Sequence, residues 1–218
     1  PAPAEVTDTL RRLLAEESPV TLHGYTSAPG DPAARRAVAE DLNRRFDAGL
    51  TPGGIYMTCG AAASLTCTLH ALVRPGDEVI VLAPYFPEYR VFAEKAGAKL
   101  VTVMTEPGSF QPDPTALAAA LSAKTRAVIL NSPNNPTGAV YTEASLRAVA
   151  DCLRRFSEER GEPVFLLSDE PYRELVYGTE KPVWIPHLYD ATVVCYSFSK
   201  SMSLPGERIG YVAVSPKM

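Results

Sequence analysis

Seven short apolar runs, each followed by a cluster of small or polar residues, constrain this chain more than any other feature. They are Ile55–Thr58, Val79–Leu82, Leu100–Val103, Ala127–Leu130, Val164–Leu167, Thr192–Cys195 and Tyr211–Val214. Most are continuous rather than alternating, the pattern of strands covered by helices on both faces. Between them Ala61–Val73, Pro87–Ala96 and Thr142–Phe156 carry helical patterns, and Leu146, Val149, Leu153 and Phe156 give the last its apolar face. Such alternation predicts an α/β fold with a mostly parallel seven-stranded sheet flanked by helices. Ligands of these sheets bind beyond the carboxyl ends of the strands, so the clusters after the runs are the candidate site.

Two helices precede the sheet. Val6, Leu10, Leu13 and Leu14 form an amphipathic stripe, and Asp31-Pro32 reads as an N-cap and first helical position before Val38, Leu42 and Phe46. His23–Gly30 between them reads as an ordered loop. Residues 1–48 are therefore taken as helices and loop leading into one domain over 49–218. The chain opens on Pro1 and stops at Met218 directly after an apolar run, so a fragment of a longer protein is expected.

Composition excludes several classes. With 218 residues, 46% hydrophobic and 21% charged, the chain can bury one sizeable core. A net charge of −4 gives no reason to expect nucleic acid. No apolar run approaches the roughly 20 residues of a spanning helix, and no charged-then-apolar leader opens the chain, so no membrane partner and a cytoplasmic location are expected. Cys59, Cys67, Cys152 and Cys195 lie far apart without CxxC spacing; they read as buried free thiols, with no metal site.

The clusters carry the chemistry. Ser197-Phe198-Ser199-Lys200-Ser201 sets a lysine among hydroxyl residues at a strand end, partly shielded from water; an amine nucleophile needs such shielding or cationic neighbours to be neutral. Arg208, in Pro205-Gly206-Glu207-Arg208-Ile209-Gly210, taken alone reads as a surface ion pair with Glu207, although a guanidinium can also clamp a phosphate. Thr58-Cys59-Gly60-Ala61-Ala62-Ala63-Ser64 is a small-residue turn into a helix, where backbone N–H groups can meet an anion. It is neither GxGxxG nor a Walker loop. Asn131-Ser132-Pro133-Asn134-Asn135-Pro136-Thr137-Gly138 is dense in turn residues, and its amides can donate to a phenolate. Ser168-Asp169-Glu170-Pro171-Tyr172 offers a carboxylate able to keep a pyridine nitrogen protonated and a hydroxyl for the adjacent ring oxygen.

Together, and in this order, these elements resemble the large domain of fold-type I, class I/II aminotransferases, from His23-Gly24-Tyr25 through Arg208. The resemblance implies pyridoxal 5'-phosphate (PLP) as cofactor and transfer of an amino group between an L-amino acid and a 2-oxo acid, through a Schiff base on Lys200. It makes Lys200 also the base for the proton shift and Asp169 the partner of the pyridinium nitrogen. Tyr172 and Asn135 bond the phenolic oxygen, Phe86 stacks on the ring, and Asn135 also meets the substrate carboxylate. Phosphate falls to the backbone of Ala61 and Ala62, to Ser197 and to Arg208. Tyr25 reaches the phosphate of the neighbouring subunit, so a homodimer with a shared active site is implied. Cis peptides are implied at Asn135–Pro136 and at Ala83–Pro84. The family's main carboxylate-binding arginine lies in a small C-terminal domain that these residues do not contain.

Two alternatives stay open. A carbon–sulfur lyase of the same fold uses the same lysine, aspartate and asparagine, and a non-enzymatic sensor domain of transcription regulators shares the fold. His23, His70 and His187 receive no role, His70 reading as packed in its helix. Tyr85 and Tyr89 read either as walls of an aromatic pocket or as core.

Overall fold

The computed structural model describes residues 2–179 and 181–218. The sheet is built from β1 (Ile55–Thr58), β2 (Glu78–Ala83), β3 (Lys99–Met104), β4 (Thr125–Asn131), β5 (Phe165–Asp169), β6 (Thr192–Ser197) and β7 (Gly210–Val214), in the order β1-β7-β6-β5-β4-β2-β3. Strand β7 runs antiparallel to both its neighbours, and the remaining pairings are parallel. The seven runs thus each became a strand. The main shift is in β5, which begins after Val164 and continues to Asp169.

Alternation along the strands divides the core. Ile80, Leu82, Val128, Leu130 and Leu166 face α6 (Pro114–Ala120) and α7 (Glu143–Arg160). On that same face, Val194, Tyr196, Tyr211 and Ala213 meet α3 (Pro32–Phe46) through Ala39 and Leu42. Val79, Val81, Ile129, Leu167, Val193 and Cys195 point the other way, towards α4 (Ala61–Leu72) and α5 (Glu88–Lys95). In α7, Leu146, Val149 and Leu153 are buried, each worth about 1.5–3 kcal/mol of apolar burial.

Local signals set the helix ends. Asp31 accepts hydrogen bonds from the amides of Ala33 and Ala34 with Pro32 at the first position, as the sequence predicts. Thr142 caps α7, and Gly161, with φ of +76°, ends it. Asp113 caps α6, a helix absent from the sequence-based expectations although it carries the same Asp-Pro start as α3. Before α3 lie α1 (Ala4–Glu16) and α2 (Pro19–His23), so His23 ends a short helix rather than opening a loop. The stripe in α1 is amphipathic but buries nothing: Leu10 and Leu14 are exposed.

Two further expectations are corrected. Cys152 and Cys195 are buried, whereas Cys59 and Cys67 are exposed. Cys59 sits in the turn before α4, and Cys67 lies off the Ser64, Leu65, Thr68, Leu69 stripe that α4 buries. His70, off the same stripe, is exposed, its Nδ1 2.8 Å from the Thr66 carbonyl. Among the described residues no helix is long and apolar enough to cross a membrane. Nor is there a group of three His, Cys, Asp or Glu able to hold a metal.

Candidate active site

The carboxyl ends of β4, β5 and β6 and the N-terminus of α4 enclose a cleft of about 410 Å³. It is lined by Ala61, Ala62, Phe86, Asn135, Asp169, Tyr172, Ser197, Lys200 and Arg208. All the site residues predicted from sequence are therefore brought together, with one exception. Tyr25 lies outside this cleft, its side chain fully exposed in the loop after α2.

One end of the cleft gathers hydrogen-bond donors. No side chain caps α4, so its first-turn amides face outward with the positive end of the helix dipole. Gly60 holds φ of +96°, and a Cβ there would stand 2.8 Å from Arg208 Nη2 and 3.6 Å from Ser197 Oγ. The missing side chain is what lets backbone, guanidinium and hydroxyl share one corner. Arg208 itself adopts φ of +53°. Its Nη1 donates to the Pro205 carbonyl (3.0 Å) and its Nη2 to the Cys59 carbonyl (3.2 Å), which aims it across the turn rather than at Glu207.

Lys200 belongs to α8 (Phe198–Ser201), a single turn continuing β6. It is exposed at the cleft, not partly shielded as the sequence suggests, because one turn on the open rim supplies no cover. Ser197 Oγ accepts from the Ser199 amide and contacts the Ser199 hydroxyl, which fixes the start of that turn.

The floor is Asp169, 5% exposed, at the end of β5. Its Oδ2 accepts a 2.5 Å hydrogen bond from the Tyr89 hydroxyl, while Oδ1 is buried with no partner among the described residues. Burial raises this carboxyl from 3.8 to about 7; the Tyr89 bond opposes the rise and neighbouring Glu170 adds to it. Burial, then the Asp169 charge, also raises the Tyr172 hydroxyl. Asn131, at the end of the adjacent β4, ties the floor together. Its Nδ2 donates to the Asp169 carbonyl (2.9 Å) and its Oδ1 accepts from the Asn135 amide (2.7 Å). Ala83–Pro84, Ser132–Pro133 and Asn135–Pro136 are cis; the middle one carries no signal beyond an X-Pro pair.

Glu170 turns to the opposite face from Asp169. It accepts from Arg173 Nε (2.5 Å) and Ser168 Oγ (2.5 Å), and Arg173 Nη1 donates to the Tyr211 hydroxyl (3.1 Å). The guanidinium lies 4.6 Å from the Tyr196 ring centroid, 5.5 Å from Phe46 and 5.6 Å from Trp184. Both partners are buried, so the second acid of the DE pair is a structural ion rather than a cleft group. Sequence reasoning missed this cluster, Asn131 and the partner of Asp169. Their signals are ordinary Asn, Arg and Tyr residues that only tertiary contact distinguishes. His23, His70 and His187 lie outside the cleft, as does Tyr85, whereas Tyr89 lines it.

The donor set fits pyridoxal phosphate. The unpartnered buried Oδ1 suits a protonated ring nitrogen, and the uncapped helix with Arg208 and Ser197 suits a phosphate. Comparison with known proteins gives the same direction. The family model described as "Aminotransferase class I and II" matches residues 2–218. An aspartate/prephenate aminotransferase of Thermus thermophilus is 37% identical over 99% of this chain and 53% of its own length. An aspartate aminotransferase of Bacillus subtilis is 36% identical over 88% and 48%. Among solved structures, an amino transferase from Eubacterium rectale superposes with a TM-score of 0.98 at 50% identity, covering all of this chain and 55% of that one. The Thermus thermophilus aspartate aminotransferase with maleate gives 0.88 at 35%, covering 99% and 54%. The chain spans about half the length of the relatives it matches.

Proposed function

The chain belongs to the class I and II aminotransferases, and on that premise we propose that it forms the cofactor-holding part of a pyridoxal-phosphate-dependent aminotransferase. Residues 49–218 are the cofactor-binding large domain, residues 1–48 lead into it, and a smaller C-terminal domain completes the protein. The observation that carries this reading is a single cleft joining Lys200, the unpartnered Oδ1 of Asp169 and an uncapped helix N-terminus beside Arg208.

Lys200 would hold the cofactor through its amine and would act as the base that carries away the proton of the substrate's α-carbon in the 1,3-proton shift. Bound pyridoxal phosphate would supply the electron sink that makes that proton removable. Asp169 Oδ1 would accept from the ring nitrogen, Tyr172 and Asn135 would bond the phenolic oxygen, and Phe86 would cover the ring. The amides of Ala61 and Ala62, the Ser197 hydroxyl and Arg208 would hold the phosphate. Asn135 also orients the substrate carboxylate. Tyr25, too exposed to serve its own cleft, serves that of a second copy in a homodimer.

The substrates are an L-amino acid and a 2-oxo acid. The relatives named above are aminotransferases, which favours transfer over the elimination catalysed by carbon–sulfur lyases. Their names put aspartate and prephenate first among compounds to assay. The test supplies cofactor-loaded protein with a donor amino acid, with and without a 2-oxo acid acceptor. Sustained formation of the donor's oxo acid only when acceptor is present, and none with Lys200→Ala, supports the reading. Release of ammonia without acceptor contradicts it.

A further inference from the structure

Tyr89 touches two groups of the cleft at once. Its side chain is buried, its hydroxyl donates to Asp169 Oδ2 at 2.5 Å, and its ring meets Phe86 edge-on with centroids 5.6 Å apart. That oxygen separation is in the short range of a hydroxyl bound to a charged carboxylate. We propose that Tyr89 is the positioning residue of Asp169: by occupying Oδ2 it leaves Oδ1 as the single acceptor turned to a basic ring nitrogen in the cleft. The inference rests on the cofactor reading above and names the residue that prepares the carboxylate for it.

Among the described residues, Tyr89 is the one group that hydrogen-bonds the Asp169 carboxylate. Glu170 is the next residue; it pairs with Arg173 on the far face, and its charge adds to the rise at Asp169 rather than opposing it. From β6 the Cys195 thiol is buried against the carboxylate, and Tyr172 stands beyond it in the turn after β5. Lys200 and Arg208 line the same cleft, and neither bonds the carboxylate. Burial therefore favours the acid form, which is a proton donor and the wrong partner for a protonated nitrogen. The Tyr89 bond is the contact that opposes this, and Phe86 and α5 keep the phenol from swinging away.

Tyr89→Phe keeps the ring and removes only the donor. In cofactor-free protein, carbon NMR of labelled aspartate follows the titration of Asp169, assigned by its loss in Asp169→Asn. The Asp169 midpoint should rise by about one unit or more in Tyr89→Phe. The pH at which pyridoxal phosphate affinity is half-maximal should rise with it. An unmoved Asp169 midpoint in folded Tyr89→Phe overturns the proposal. Should that variant not fold, the wild-type protein decides. A strongly downfield hydroxyl proton that vanishes as Asp169 protonates supports the bond, and absence of such a signal overturns it. Neither of these two readouts requires the cofactor. If pyridoxal phosphate does not attach to Lys200, the cofactor reading falls and, with it, the purpose assigned to Tyr89. If it attaches and the Asp169 midpoint is unmoved, the Tyr89 inference alone falls.

Discussion

At the scale of single residues, adjacent carboxylates in one dipeptide have been given different fates. Asp169 faces the cleft with one oxygen unpartnered, and Glu170 faces a guanidinium wrapped by three aromatic rings. Asp169 is the costly one. Its carboxyl is raised from 3.8 to about 7, so the folded chain keeps a proton that the unfolded chain has already lost. Its contribution to stability is fully present below about pH 4 and is lost as pH rises to about 7. Urea unfolding of cofactor-free protein should show that decline, on the order of a few kcal/mol at about 1.4 kcal/mol per pKa unit. Asp169→Asn should remove the decline while preserving the fold. The Glu170–Arg173 pair behaves oppositely. Arg173→Met leaves a buried carboxylate without its cation and should cost about 3–5 kcal/mol in thermal or urea unfolding. Adding Glu170→Gln to that variant should recover much of the loss.

At the scale of elements, the site is a set of strand ends, and that is why so much of it was legible. Continuous apolar runs announced strands, and the polar clusters directly after them supplied Lys200, Asp169 and Asn135 to one cleft, which Arg208 joins from the turn before β7. What stayed hidden depends on which face a side chain takes and what crosses to meet it. Tyr89 was equally core or pocket wall from sequence, because only the packing of α5 against the sheet and α4 brings its hydroxyl to Asp169. Asn131 resembled any other turn residue until the β4–β5 register, Asn131 opposite Asp169, made it a strut. The exposure of Lys200 was missed because hydroxyl neighbours within one short turn cannot roof it. The stripe of α1 was read correctly as amphipathic, yet amphipathicity does not supply a surface to cover it. The turn into α4 yields a prediction at this scale. Gly60→Ala would place a methyl 2.8 Å from Arg208 in a backbone conformation that disfavours side chains, a strain of about 1–3 kcal/mol. Displacing Arg208 should erase most of the preference for pyridoxal phosphate over unphosphorylated pyridoxal in a fluorescence titration, while a Gly53→Ala control, at an exposed turn far from the cleft, should not.

At the scale of the whole molecule, the mostly parallel sheet places both halves of the binding task at one edge of the protein, with β7 reversed so that the arginine turn returns beside α4. Tyr25 does not join them and remains fully exposed. A homodimer that lends Tyr25 across the interface predicts that Tyr25→Phe weakens pyridoxal phosphate binding only at concentrations where sedimentation shows the dimer. Equal weakening in monomer and dimer would remove that role. The central claim, that this cleft holds pyridoxal phosphate on Lys200, is tested by titrating the protein with pyridoxal phosphate while recording visible absorption, then reducing with borohydride and mapping the labelled peptide. A saturable yellow band with the label confined to the peptide carrying Lys200, and lost in Lys200→Ala, is the predicted result. A label scattered over surface lysines, with no saturable band, would contradict it.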